Sequence, residues 1–295
     1  MTYTKKAYAK INLYLDVLNK IESGYHNIES VMQTISLYDT VSLTVLDGEF
    51  EIAINTNDSS IPTDENNLVY KACIKYLEYA RKKRKIKASN QKFSFTIEKN
   101  IPIAAGMAGG SSDCATALRL MNEAYNNILK ENELLEIASS IGADVGFCLI
   151  GGTCECRGIG DKIKQLKPFN DVYLVCAIDN TRISTPEAYG LLDARYGTKS
   201  SSTRIFEVFV GAINNGANLN RISALLFNKF EHVIIPKNPN INAIKSALLG
   251  NGAIGALMSG SGPSVFGIFE SENDQIKAYN ALKDQNIRTF LCKTL

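Results

Sequence analysis

Residues 102–125 read "PIAAGMAGGSSDCATALRLMNEAY", and the chemistry they suit is the holding of phosphate. A helix N-terminus leaves backbone N–H groups without partners and carries partial positive charge, so it takes anions readily. Gly106, Gly109 and Gly110 let the loop before such a helix wrap tightly and approach a ligand with no Cβ in the way. Ser111 and Ser112 add hydroxyls, and Asp113 supplies a carboxylate to the first turn or serves as a cap. A second reading needs no ligand: a tight strand-to-helix turn with Ser111 or Ser112 as its N-cap. Two familiar phosphate loops are excluded here. No Gly-Lys-Ser/Thr follows the glycines, as a Walker A loop requires, and the G-x-G-x-x-G order of dinucleotide folds is missing.

The elements that must position this loop follow from the hydrophobic pattern. Ala7, Ala9, Ile11, Leu13, Leu15 and Val17 alternate with Tyr8, Lys10, Asn12, Tyr14 and Asp16, which predicts a strand with Lys10 and Asn12 on one face. Further strands are predicted near 27–36, 40–46, 50–55 and 92–98. A helix near 66–82 follows Thr63 and Asp64 and ends in basic residues. The helix after the glycine loop is predicted from Ser112 to Tyr125, with Ala115, Leu118, Met121 and Tyr125 as its apolar stripe. Another, over 131–141, stops at Gly142, read as a C′ glycine. A hairpin over 151–166 turns at Arg157-Gly158-Ile159-Gly160-Asp161. The second half reads as a strand (172–178), helices near 186–195, 203–214, 219–227 and 241–249, strands at 254–259 and 264–269, a helix at 273–285 and a strand at 288–292. With the softest boundary near 167–171, two α+β domains are expected, 1–168 and 169–295.

Composition removes several function classes. Net charge is only +2, so no strong field points to nucleic acid or acidic membranes, and "RKKRK" at 81–85 sits where a helix should end. Seven scattered cysteines (Cys73, Cys114, Cys148, Cys154, Cys156, Cys176, Cys292) fit reduced thiols better than a disulfide framework. With His26 and His232 as the only histidines, a zinc site is not expected. No apolar run reaches the roughly 18 residues that span a bilayer, and Lys10, Asn12 and Asp16 interrupt any signal-like segment. A cytoplasmic protein is expected, with no nucleic-acid or membrane partner.

Three stretches, in order, resemble the motifs of the GHMP kinases (galactokinase, homoserine, mevalonate and phosphomevalonate kinases). They are "KAYAKINLYLDVL" near the N-terminus, residues 102–112 as the phosphate motif, and "GALMSGSGPSVFGIF" toward the C-terminus. "AKINLYLDV", "SGYHNIESVMQTISLYDTVSL", "IPIAAGMAGGSSDCATALRLMN", "GADVGF" and "MSGSGPSVFGIF" narrow the resemblance to the branch acting on 4-diphosphocytidyl-2-C-methyl-D-erythritol. The resemblance implies an α+β, two-domain GHMP kinase fold, with an N-terminal ribosomal-S5-domain-2-like α/β domain and a C-terminal ferredoxin-like α+β domain. It implies transfer of the γ-phosphate of ATP, with Mg²⁺, to the substrate's 2-hydroxyl in the non-mevalonate isoprenoid pathway, by a monomer or weak homodimer.

The same resemblance makes Asp144, in "GADVGF", the base and Lys10 its cationic partner. It assigns ATP to Pro102, Ile103, Ala104, Ala105, Gly106, Met107, Ala108, Gly109, Gly110, Ser111 and Ser112, with Asn67, Leu68 and Lys99 nearby. Asn12, Tyr25, His26, Thr185 and Tyr189 are assigned to the substrate, with Tyr25-His26 meeting the cytosine and Tyr189 stacking on its opposite face. Gly260, Ser261 and Gly262 are either a plain hairpin turn or a closing element of the phosphate site. Ser112 and Asp113 are the candidate metal ligands. Two departures stand out: Gly146 replaces the proline usual after "GADV", which could loosen the segment carrying Asp144, and Met107-Ala108 replaces Leu-Gly. The alternatives are a GHMP kinase for homoserine, mevalonate or a sugar, a catalytically silent nucleotide- or substrate-binding sensor on the same fold, and a non-enzymatic RNA-associated protein.

Overall fold

The computed structural model describes residues 1–86, 90–197 and 204–295. It divides into two compact units: one of Met1–Ala9, Tyr38–Ile103 and Ala108–Ile150, the other of Lys10–Leu37, Ala104–Met107 and Gly151–Leu295. Two long strands, β1 (Thr2–Lys20) and β2 (His26–Asp47), contribute residues to both. The two strands predicted at 27–36 and 40–46 are thus one continuous element.

The first unit adds β3 (Glu51–Thr56), α1 (Leu68–Lys82), β4 (Gln91–Glu98), α2 (Gly109–Ala124), α3 (Glu131–Ile141) and α4 (Ala143–Ile150). β4 pairs antiparallel with the end of β2 and parallel with β3. Alternate residues Phe93, Phe95 and Ile97, with Val41 and Leu43 opposite, bury one face of this sheet. Val69, Ala72, Cys73, Tyr76, Leu77 and Ala80 of α1, at helical spacing, join the same core as Cys114, Ala115, Leu118 and Met121 of α2. One polar group inside it is well partnered: the Asn122 amide accepts from Tyr76 Oη and Leu129 N and donates to the Leu129 carbonyl, all at 3.0 Å.

Three local expectations are corrected here. Asn67, not Thr63 or Asp64, caps α1, its Oδ1 accepting from Val69 N at 2.8 Å. Gly142 ends α3 with φ −178°, an extended conformation open to any residue, so it is no left-handed C′ glycine. Asp144 lies in the first turn of a helix, α4, that the pattern did not predict, and Gly146 is helical within it.

In the second unit β5 (Thr153–Arg157) and β6 (Lys162–Gln165) form the expected hairpin, and β5 lies antiparallel to residues 30–33 of β2. There follow β7 (Tyr173–Ile178), α5 (Thr185–Tyr196), α6 (Ile205–Asn214), α7 (Leu219–Ala224), β8 (Phe227–Asn228), α8 (Glu231–Ile234), α9 (Pro239–Gly250), β9 (Gly255–Met258), β10 (Ser264–Phe269), α10 (Glu272–Lys283) and β11 (Arg288–Lys293). The start expected for α6, at Thr203, lies outside the described residues. The helix expected over 219–227 ends at Ala224, and Phe227-Asn228 pairs parallel with Tyr14-Leu15 of β1 instead. β7, β9, β10 and β11 build an antiparallel sheet in the order β11-β7-β10-β9, and with α9 and α10 they give the βαββαβ arrangement of a ferredoxin-like domain. α5 to α8 are inserted before its first helix. Gly267 permits close packing there, since a Cβ would lie 3.2 Å from Leu248 Cδ2 of α9.

Candidate active site

The face of β1 that alternates toward polar residues is not solvated: Lys10, Asn12, Tyr14 and Asp16 are all buried. Buried polar groups need partners. Lys10 Nζ donates to Asn12 Oδ1 (2.8 Å), Asn12 Nδ2 to Ser30 Oγ (2.9 Å), and Ser30 Oγ to the Tyr14 carbonyl (2.7 Å). Lys10 and Asn12 are therefore held in one chain of hydrogen bonds within the second unit.

The backbone at 104–107 is gripped in the same unit. Ser264 Oγ donates to the Ala105 carbonyl, Ser259 Oγ to the Gly106 carbonyl (3.0 Å), and Lys10 N to the Met107 carbonyl (3.1 Å). In a planar trans peptide the N–H points opposite to the C=O. Pinning three successive carbonyls thus turns the amides of Gly106, Met107 and Ala108 the other way. Ala104 (φ 53°), Gly106 (φ 73°) and Ala108 (φ 55°) take the left-handed conformation in alternation, a winding path of the kind that can present successive amides to an anion. Gly106 has no room for a side chain, because a Cβ would fall 2.2 Å from the Ser259 carbonyl oxygen. Gly260 packs tightly on it as well, with a Cβ position 3.1 Å from Gly106 Cα. The 260–262 turn is thus packed on the loop, and Ser261 Oγ lies 3.2 Å from Thr185 Oγ1.

α5 presents Thr185, Tyr189 and Asp193 at i, i+4 and i+8, along one face. The Tyr189 ring stacks on His26 (centroids 4.8 Å, 19°) and meets Phe230 edge-on (5.0 Å, 88°). His26 Nε2 is 2.7 Å from Asp193 Oδ1, and Lys20 Nζ donates to Asp193 Oδ2 at 2.9 Å. Tyr25, beside buried His26, is 64 % exposed. A large aromatic left this open suits stacking on a ligand.

In the first unit α2 starts at Gly109, three residues before the expected Ser112, and no side chain caps it. Ser112 Oγ instead donates to the Tyr8 carbonyl (2.7 Å), so the capping reading of the serines does not hold. The first amides of the helix therefore have no side-chain cap, the arrangement in which a helix N-terminus can take an anion. Around this end stand residues expected to meet the nucleotide. A Cβ on Gly110 would lie 3.8 Å from Leu68 Cδ1, and one on Gly109 would lie 3.2 Å from Lys99 Nζ. Pro102 is buried and Ile103 and Ser111 are at least partly exposed along the same stretch. Asn67, beside Leu68, donates to the Pro62 carbonyl (2.7 Å) as well as capping α1.

The GHMP kinases N terminal domain matches residues 67–152, and the GHMP kinases C terminal domain residues 209–288. A protein of Clostridium kluyveri called 4-diphosphocytidyl-2-C-methyl-D-erythritol kinase is 42% identical over 293 residues, covering 98% of this chain and 99% of its own. One so called from Caldicellulosiruptor saccharolyticus is 41% identical over 278 residues, 94% and 92% of the two chains. The chain belongs to the GHMP kinases.

Its two-domain fold is theirs as well. The crystal structure of a 4-(cytidine 5'-diphospho)-2C-methyl-D-erythritol kinase superposes with a TM-score of 0.79 at 27% identity, covering 99% of each chain. Homoserine kinase from Cytophaga hutchinsonii shares the fold (TM-score 0.71, 21% identity, 97% and 94% covered). This GHMP kinase is a small-molecule kinase, and none of its described helices is long and apolar enough to cross a membrane.

Sequence reasoning missed several residues that organise the site. Ser259 and Ser264 flank the Gly260-Ser261-Gly262 turn, and it is they that bind the loop carbonyls. Asp193 carried a usable signal, its four-residue spacing from Tyr189. Lys99 was expected near the nucleotide, but its two carboxylate partners were not. Its ammonium is buried between Asp39 Oδ2 and Asp113 Oδ2 (2.7 Å to the latter), while Asp39 Oδ1 accepts from Asn100 N and Ile101 N.

That triad bears on the metal. Ser112 is turned to Tyr8, and Asp113 is buried beside an ammonium, with Oδ1 also enclosed and without a hydrogen-bond partner among the described residues. Both candidate ligands are thus already engaged by the protein on one side, and no group of three His, Cys, Asp or Glu among the described residues is placed to form an all-protein cation cage. Burial instead pushes the Asp113 carboxyl up to about 7, with Lys99 pulling it down and Asp39 pushing it further up. The folded chain then binds more protons here than the unfolded chain, whose carboxyl titrates near 3.8, so stability through this group falls as pH rises from about 4 to 7. Asp113→Asn should gain on the parent by up to about 1.4 kcal/mol per pH unit across that window. Urea unfolding at pH 5, 6 and 7 checks this, and a constant difference would contradict it.

Proposed function

We propose that the chain transfers the γ-phosphoryl group of ATP to the 2-hydroxyl of 4-diphosphocytidyl-2-C-methyl-D-erythritol, in non-mevalonate isoprenoid precursor synthesis. The near full-length likeness to kinases named for that substrate supports this, as does the site's own chemistry. The observation that carries it is the cluster of exposed Tyr25 with His26 and Tyr189, in the same unit as Lys10 and Asn12. A pyrimidine needs such a surface. Homoserine and mevalonate offer no base to stack.

Phosphoryl transfer asks the protein mainly for positioning and charge stabilisation. The amides at 106–108 and the start of α2 are assigned to the phosphates of ATP, with Asn67 and Leu68 toward the nucleoside. Lys99 serves this region by holding Asp39 and Asp113 together beneath Gly109 rather than by free reach. Asp144, in the first turn of α4, takes the proton of the attacking hydroxyl, and Lys10 stabilises the charge that develops. Asn12 and Thr185 orient the rest of the substrate. Mg²⁺ accompanies the nucleotide and is assigned no side chain. The kinase is placed in the cytoplasm, as a monomer or weak homodimer.

Base stacking on an aromatic side chain is worth roughly 1–3 kcal/mol. Tyr25→Ala should therefore raise KM for the cytidylyl substrate by about ten- to a hundred-fold and leave KM for ATP unchanged. Steady-state kinetics with each substrate varied decides it. An equal loss toward ATP would remove the base site from the account.

A further inference from the structure

The turn that carries Tyr25 is short. β1 ends at Lys20, β2 begins at His26, and residues 21–25 between them are closed by Ile21 N to the Tyr25 carbonyl (2.8 Å) and Gly24 N to the Ile21 carbonyl (2.9 Å). Those bonds shape the turn but do not fix where it points. Lys20 and His26 flank it, and one carboxylate binds both: Asp193 Oδ2 accepts from Lys20 Nζ and Asp193 Oδ1 meets His26 Nε2. Asp193 lies one helical turn beyond Tyr189 on α5, and Tyr189 stacks on the His26 that Asp193 holds. We infer that Asp193 is a positioning residue for recognition of the substrate's pyrimidine base, stapling both ends of the Tyr25 turn to the helix that bears Tyr189. This rests on the reading of Tyr25, His26 and Tyr189 as the base site.

The chemistry suits a permanent staple. Burial raises the Asp193 carboxyl, but the bonds from Lys20 and His26 outweigh it and hold the group below the usual carboxylate range. It therefore stays ionised at neutral pH and can serve two donors at once, one per oxygen. The bond to Asp193 also puts a proton on Nε2 of His26 and so sets the ring's orientation against Tyr189. The Lys20 partner is more exposed and contributes direction rather than much strength. Asp193 makes no contact with the reacting groups in this account, so its loss should register in KM for one substrate and not in the chemical step.

The test is steady-state kinetics of the whole chain carrying Asp193→Ala, Asp193→Asn, Tyr25→Ala and the Asp193→Ala/Tyr25→Ala pair. Asp193→Ala should raise KM for the cytidylyl substrate about tenfold, with kcat and KM for ATP unchanged. Asp193→Asn, which keeps one acceptor oxygen and the same shape, should recover part of that loss. It also answers the question should the alanine variant fold poorly. The double variant should be little worse than Tyr25→Ala, because Asp193 acts through the turn that bears Tyr25. An unchanged KM, a fall in kcat, or effects of the two residues that simply multiply would overturn the inference while Tyr25→Ala alone still raises KM. If Tyr25→Ala itself changes nothing, the base-site reading falls and this inference with it.

Discussion

Asparagine at position 144 is expected to lower kcat by about 10²- to 10⁴-fold, the range a positioned general base contributes. The substitution keeps the shape of the side chain and removes its basicity. Asp144 sits in the first turn of α4, where a carboxylate gains about 0.3–1 kcal/mol from the helix dipole, so the fold should survive its loss. ATP should still bind, since the loop and α2 amides are untouched. ADP release measures the first effect and calorimetry with ATP the second. Phosphoryl transfer passes through a loose transition state in which little proton transfer is needed early. A loss of less than tenfold would mean that water takes the proton and that Asp144 only orients the hydroxyl.

The second large effect is expected at Gly106. An alanine there must keep φ near +73°, which alone costs about 1–2 kcal/mol, and must place its Cβ 2.2 Å from the Ser259 carbonyl oxygen. The atom in the way is backbone, so it has no rotamer to yield. Loop and turn have to part, and the bonds from Ser259 and Ser264 that pin the loop carbonyls part with them. Displacement of about 1 Å at a reacting group costs on the order of 10²-fold. Gly106→Ala should accordingly lower kcat/KM for ATP by about a hundredfold. Gly211 in α6 is the control, with nothing within 4 Å of an added Cβ and no positive φ. Its alanine variant should be as active as the parent, and a Gly106→Ala enzyme equally active would show that the amides at 106–108 do not hold the phosphates.

Much of the fold was legible. Period-two alternation from Ala7 to Val17 and helical spacing from Val69 to Ala80 belong to the residues themselves, and both elements stand where the pattern put them. What alternation could not reveal is that the polar face of β1 is buried. That depends on Ser30 and Ser259, 18 and 247 residues from Asn12, and no local pattern encodes such partners. The start of α2 was misread for a related reason. Serine is the common cap, but here Ser112 is drawn to the Tyr8 carbonyl and a left-handed Ala108 opens the helix. α4 was hidden by its length of eight residues and by glycines at 142 and 146, which read as loop. The site was legible as motifs, whereas its support was not: Asp193 meets His26 across 167 residues, and Lys99 finds its two carboxylates only in the folded unit.

The central claim is that this is a kinase for a cytidylyl-diphospho alcohol. The most direct measurement is ADP release from MgATP by the intact chain, with and without 4-diphosphocytidyl-2-C-methyl-D-erythritol, and with homoserine or mevalonate in its place. Turnover that appears only with the cytidylyl substrate, and a product phosphorylated at the 2-hydroxyl, is the expected result. No turnover with it, or faster turnover with either of the others, would contradict the account.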